Sequence, residues 1–276
     1  TESPALVDPD CVISEDWHDM IAAGDLDGVI IATPPALHAE MTLAAIDAGL
    51  PVLVEKPMTM SLADAERVVE AAQAKNAIVL VDHTPLYSAA WEALKREAEG
   101  LGPLRAIITE AGAKGPDHSP TPVLWNWGSH DVAMCIDLLG RLPEKATARR
   151  LEARETEEGK GETLALSLDF GDVTASITIG DIRAEKKRLF IAAFEKGELV
   201  YDGMKGVKLR RRDAPWQADP VSDDGGHSVP LANGRPLDRV VLAFASAISR
   251  GAPDSEDVNL GTDVVRVLSW MEGHLT

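Results

Sequence analysis

Long apolar runs are missing from this sequence. None approaches the roughly 18 apolar residues that a membrane-spanning helix needs, so no membrane partner is expected. A basic segment followed by an apolar one is also missing at the start, so no secretory leader is expected. Positive charge is in short supply. Against 45 Asp and Glu stand only 27 Lys and Arg, a net charge of −18. Such a surface repels polyanions, which argues against nucleic acid as a partner. Cysteine is scarce: Cys11 and Cys135 are far apart and form no CxxC pair. Two free, buried thiols in a reducing compartment are expected, which points to the cytoplasm. The histidines His38, His83, His118 and His130 show no HExxH or paired spacing, so no metal is expected.

What is present suits a globular protein. Apolar residues make up 45% and charged residues 26% of 276, enough to bury a sizeable core in one large or two ordinary domains.

The first hundred residues alternate strand-like and helical patterns. Gly28 to Thr33 is a short β-branched run closed by Pro34-Pro35, and Ala36 to Ala48 reads as a helix ended by Gly49. Val52 to Val54 is a second strand, closed by Glu55-Lys56-Pro57. Ser61 and Asp64 are spaced to open a helix that reaches Lys75. Ala77 to Val81 is a third strand, and Leu86 to Glu99 a helix. Cys11 to Ile13 suits a further short strand. This alternation predicts a parallel α/β sheet with right-handed crossovers.

The pattern changes near Gly102. A strand from Leu104 enters a proline-rich segment, and a helix is expected from about His130 to Leu139. Leu164, Leu166, Leu168 and Phe170 alternate, Gly171-Asp172 turns, and Val173, Ala175, Ile177 and Ile179 alternate again, which predicts a hairpin. Leu189–Phe194 and Glu198–Tyr201 predict another. Helices are expected around 237–248 and 263–274. The division predicted is an N-terminally incomplete α/β domain over 1–102, then an α+β domain with a mainly antiparallel sheet over 103–276, its last helix packing back on the first domain.

In open parallel sheets, ligands bind beyond the carboxyl ends of the strands. Thr33-Pro34-Pro35, Glu55-Lys56-Pro57 and Asp82-His83 stand at those ends. Pro57 keeps the Lys56 backbone out of the helical region. A desolvated lysine there can hydrogen-bond an oxygen or trade a proton. The same residues also suit a solvated turn. His130, read as opening a helix, would be held neutral by the helix dipole and could accept an alcohol proton. It equally suits a core histidine. Trp125 and Trp127, flanking Asn126, suit a pocket wall or an apolar seam.

Thr33-Pro34-Pro35-Ala36-Leu37-His38, then Ala48-Gly49, then Val54-Glu55-Lys56-Pro57 resemble the signature of the Gfo/Idh/MocA oxidoreductases, which include glucose–fructose oxidoreductase and inositol dehydrogenases. Val123-Leu124-Trp125-Asn126-Trp127-Gly128-Ser129-His130-Asp131, followed by an apolar helix and Leu139-Gly140, resembles that family's second motif. Val81-Asp82-His83-Thr84-Pro85-Leu86-Tyr87 is similar to a subgroup linked to nucleotide-sugar and polysaccharide biosynthesis. The resemblance runs from about residue 8 to the C-terminus.

The resemblance implies a Rossmann-type domain binding NAD or NADP, then a sheet domain that holds the substrate and builds a homo-oligomer. It implies hydride transfer between nicotinamide and a CH–OH carbon of a sugar, nucleotide sugar or polyol. Lys56 would be the catalytic lysine and His130 the histidine that helps the hydroxyl proton leave. Thr33, Pro34, His38, Glu55 and Lys56 would line the nicotinamide side.

Two departures stand out. The family's GxGxxG turn, which holds the pyrophosphate, is nowhere in the sequence, and the chain opens near that domain's third strand. A longer parent sequence is therefore expected. The family commonly has Asp four residues before the histidine; here it is Asn126, which hydrogen-bonds but cannot ionise. Both departures feed an alternative, a non-catalytic sugar- or nucleotide-sensing member of the fold.

Overall fold

The computed structural model describes residues 11–116, 121–214, 226–252 and 255–275. The β-branched runs between prolines form a three-stranded parallel sheet in the order β1 (Val29–Ile31), β2 (Val52–Glu55), β3 (Val79–Asp82). Strands β2 and β3 are apolar because both of their faces are covered. On one face, Val52 and Val54 join a core with Ala45 and Ile46 of α2 (His38–Asp47) and Ala65 and Val68 of α3 (Leu62–Lys75). On the other, Leu53, Ile78 and Leu80 meet Val240, Phe244 and Ala247 of α6 (Pro236–Arg250). Strand β1 lies at an edge, and its Ile30 is exposed.

Local chemistry sets the helix ends. The Ser61 hydroxyl accepts from the Asp64 amide (3.1 Å) and donates to Asp64 Oδ2 (2.9 Å), so α3 opens as its sequence predicts. Asn76 ends it in the left-handed region at φ 50°. The short helix α1 (Trp17–Ala22) precedes β1, and α4 (Ala89–Ala98) follows β3 and is capped by Ser88. The expected strand at Cys11–Ile13 does not form. Val12 and Ile13 are exposed.

A second sheet of eight strands follows, in the order β11-β10-β9-β8-β4-β7-β6-β5. Its strands are β4 (Leu104–Lys114), β5 (Lys145–Thr156), β6 (Gly159–Asp169), β7 (Thr174–Gly180), β8 (Ile182–Phe194), β9 (Glu198–Asp202), β10 (Leu209–Arg212) and β11 (His227–Ser228). Every pairing is antiparallel except β4 with β7. The alternation on β6 and β7 puts Leu164, Leu166, Leu168, Ala175, Ile177 and Ile179 on one buried face. Helix α5 (Val123–Leu139) lies against this inner face. On the outer face Thr147, Arg149, Thr174 and Ser176 are exposed.

Helix α5 begins seven residues earlier than expected, at Val123. Pro122 stands at its N-cap. Gly128 is a packing residue inside it: a Cβ there would lie 3.4 Å from both Ile179 and Leu268. His130 is therefore two turns into the helix, not at its start. The last helix, α7 (Ser255–Glu272), also begins earlier than expected and packs against α3, α5 and β3. Its approach to β3 requires Gly261, where a Cβ would lie 2.8 Å from Val81 Cγ2. Cys135 is buried in α5, but Cys11 is exposed, against the expectation of two buried thiols. His118 lies outside the described residues. No described helix is long and apolar enough to cross a membrane.

Candidate active site

The carboxyl ends of the three parallel strands deliver Thr33, Glu55, Lys56, Asp82 and His83 to one edge of the first sheet. Helix α5 brings Asn126 and His130 to the same place from above the second sheet. Lys56 joins the two halves: its Nζ donates to the Asn126 backbone carbonyl (2.8 Å) and to Asn126 Oδ1 (3.0 Å). Asn126 stands in the opening turns of α5, where its own amide bonds Pro122 O (2.9 Å). The Lys56–Pro57 peptide is cis.

His130 lies within the field of both Lys56 and Arg188. Its basicity falls well below the ordinary histidine range, first because of burial and then because of those two cations. The helix dipole invoked from the sequence is not the cause. His130 is half-buried as a residue, and its Nδ1 is buried without a hydrogen-bond partner. His83, at the end of β3, is buried with neither ring nitrogen partnered, and burial and the Lys56 charge push it down to about 3.

Glu55 and Asp82 are register partners on β2 and β3. Burial, and then the Asp82 charge, raise Glu55; burial raises Asp82, whose Oδ1 accepts from the Thr84 hydroxyl at 2.7 Å. Asp131, next to His130, is pushed up to about 6 by burial, against the pull of Arg188.

The expected nicotinamide-side residues have distinct surroundings. Thr33 is half-buried, its hydroxyl against Met41 Sδ (3.3 Å), and Pro34 is exposed. His38 is fully buried, and its ring nitrogens lie 2.8 Å from Thr33 O and 2.8 Å from Pro57 O. With both nitrogens committed to backbone, His38 braces the loops after β1 and β2 from below and leaves no ring atom for a ligand. The two tryptophans divide: Trp125 is buried and ties α5 to α7 through Glu272 (2.8 Å). Trp127 lines a cavity of about 440 Å³ together with Asn126, Arg150, Lys160 and Asp181.

Reading the sequence alone gave no role to His83 or Arg188. The strand-end position of His83 is a usable signal. Arg188 has none, since only the pairing register brings it to the site. Among the described residues, no group of three or more His, Cys, Asp or Glu could hold a metal ion.

Residues 7–83 match the oxidoreductase family with an NAD-binding Rossmann fold. The chain is 42% identical to a protein of Magnetospirillum magnetotacticum MS-1 to which oxidoreductase activity is ascribed; the match covers 97% of this chain and 87% of that one, with a TM-score of 0.91. It is 26% identical to scyllo-inositol 2-dehydrogenase (NADP(+)) of Bacillus subtilis, over 94% of this chain and 80% of that protein. UDP-N-acetylglucosamine 3-dehydrogenase of Acidithiobacillus ferrooxidans shares the fold, with a TM-score of 0.80 at 21% identity over 96% of this chain and 83% of that one.

Proposed function

The chain belongs to the Gfo/Idh/MocA oxidoreductase family, and on that premise we propose that Lys56, His130 and Asn126 serve hydride transfer between a nicotinamide cofactor and a CH–OH carbon of a sugar or polyol. The observation that carries this reading is the double hydrogen bond from Lys56 to Asn126 beside a histidine of lowered basicity.

The residues present fit the nicotinamide end of NAD or NADP. Three parallel strand ends converge there, and the adjoining His83 and His130 keep buried ring nitrogens unpartnered. Thr33, Pro34 and Glu55 would line the ring, with His38 fixing the two loops that carry them. When bound, the cofactor supplies the hydride acceptor or donor, and the protein's share is orientation and proton handling.

Lys56 serves as a hydrogen-bond donor to the substrate oxygen, oriented by the two Asn126 oxygens. In the oxidation direction that oxygen gains double-bond character as its proton leaves. His130 takes the proton: burial and two nearby cations keep its imidazole neutral and make it a weak base, so it passes the proton on rather than holding it. Asn126 holds the ammonium without exchanging protons. The non-catalytic alternative gains no support from the relatives, which include an inositol 2-dehydrogenase and a 1,5-anhydro-D-fructose reductase.

Residues 1–102 and 103–276 form the cofactor and substrate units in this reading, with α6 and α7 returning to the first. A cytoplasmic location is proposed from the two free cysteines, and a homo-oligomer from the outer face of the eight-stranded sheet. Sedimentation of the full-length protein tests the oligomer, with a stable monomer as the contrary result. Nicotinamide absorbance, followed with a panel of sugars and polyols, tests the activity. Tight sugar binding with no absorbance change would favour a sensing role.

A further inference from the structure

We propose that Arg188 is a specificity-determining residue whose guanidinium takes a carboxylate or phosphate group carried by the substrate. This deepens the reading above and rests on it, because it sets the substrate beside His130.

The argument starts from register. Arg188 on β8 pairs with Ala111, which pairs with Ile179, then Leu164, then Arg150, so the two arginines end one lateral row on the inner face of the sheet. Asn126 and Trp127 stand over this row. Arg150 is neutralised by Glu162 at 2.8 Å. Arg188 is not: among the described residues, its guanidinium makes no ion pair and no hydrogen bond. In a chain with 45 acidic residues, where most described arginines sit against a carboxylate, that is a notable exception. Asp131 feels the Arg188 charge but forms no ion pair with it.

The side chain is nonetheless held. Its Cζ lies 5.2 Å from the centre of the Trp127 ring, a cation–π arrangement that fixes the plane of the fork. Its stem runs over Gly203, where a Cβ would come within 2.8 Å of Arg188 Cγ and 3.1 Å of the Tyr201 hydroxyl. The Gly203 amide also bonds the Arg188 carbonyl at 2.8 Å. A planar five-donor fork, oriented and half-buried with no acceptor opposite, matches the geometry of a carboxylate or phosphate. An anion there would also offset one of the two positive charges that act on His130.

Calorimetric titration of the full-length protein with glucose, glucuronate and glucose 6-phosphate, in the presence of reduced coenzyme, tests this and separates the two anion sources. The wild type should bind at least one anionic probe about tenfold or more tighter than glucose, the scale of one hydrogen-bonded charge pair. Arg188→Gln should collapse that ratio towards one, and Arg188→Lys should restore part of it. Equal or undetectable binding of all three probes by the wild type, or a preference that survives in Arg188→Gln, overturns the proposal. Binding is read without turnover. An anion preference lost in Arg188→Gln, with no change in nicotinamide absorbance for any probe, would uphold Arg188 and count against the oxidoreductase reading instead.

Discussion

Lys56 Nζ lies 2.8 Å from the backbone oxygen and 3.0 Å from Oδ1 of Asn126, 70 residues away in the chain. One residue closes a parallel strand of the first sheet, and the other opens the helix that covers the second. The contact makes Asn126 a hydrogen-bonding partner of the lysine where the family commonly places an acid.

Replacing that partner by an acid should change the pH profile. In Asn126→Asp a carboxylate beside Lys56 favours the ammonium, so the lysine holds its proton to higher pH. The alkaline limb of kcat against pH should move upward. In Asn126→Ala the backbone carbonyl still accepts from Lys56, so the loss should be that of one hydrogen bond, about 0.5–1.5 kcal/mol in kcat/KM. An unchanged pH profile for Asn126→Asp would contradict the contact.

His38 should behave as a brace. Removing its ring in His38→Ala leaves the one carbonyl that the ring N–H serves, Thr33 O or Pro57 O, without its donor, and such a buried group costs about 1–3 kcal/mol. Urea denaturation should show a stability loss of about that size, and the KM for coenzyme should rise because both loops loosen. Wild-type stability in His38→Ala would contradict the role.

His83 should make the fold acid-labile. Unfolded, it takes a proton near the ordinary 6.5; folded, burial delays this to about 3. The unfolded chain therefore binds more protons between those values, and stability is full above pH 6.5 and falls as pH drops. Between pH 7 and pH 5 this one group removes about 2 kcal/mol. Asp131 acts in the opposite sense. Raised from 3.8 to about 6, it stabilises at low pH and loses that contribution as pH rises through 6. Comparing variants isolates the histidine: His83→Leu should lose less stability than wild type between pH 7 and pH 5. Equal losses would contradict the buried, neutral imidazole.

The parallel strands were legible because β2 and β3 are buried on both faces and stop at prolines or polar residues. The β6–β7 hairpin was legible because one face is apolar at every second residue. Helix α5 was only half legible. The sequence reading starts it at His130, yet Gly128 lies inside it, where a glycine lets the helix lie close to Ile179 and Leu268. Strand β5 was missed, since an edge strand with most side chains in water carries little apolar alternation. Lys56 could be singled out by its place at a strand end. Its pairing with Asn126 could not, because it depends on how the two sheets dock. Arg188 is invisible in the same way: nothing in Lys187-Arg188-Leu189 distinguishes it until the register with Ala111 is known.

The most direct measurement is nicotinamide absorbance in single turnovers of the full-length protein, wild type against Lys56→Ala, on a sugar or polyol that the wild type converts. A positioned hydrogen-bond donor to the reacting oxygen typically contributes about 10²–10³-fold, so Lys56→Ala should slow hydride transfer by that factor while its circular dichroism stays native. A natively folded Lys56→Ala that transfers hydride at the wild-type rate would contradict the account.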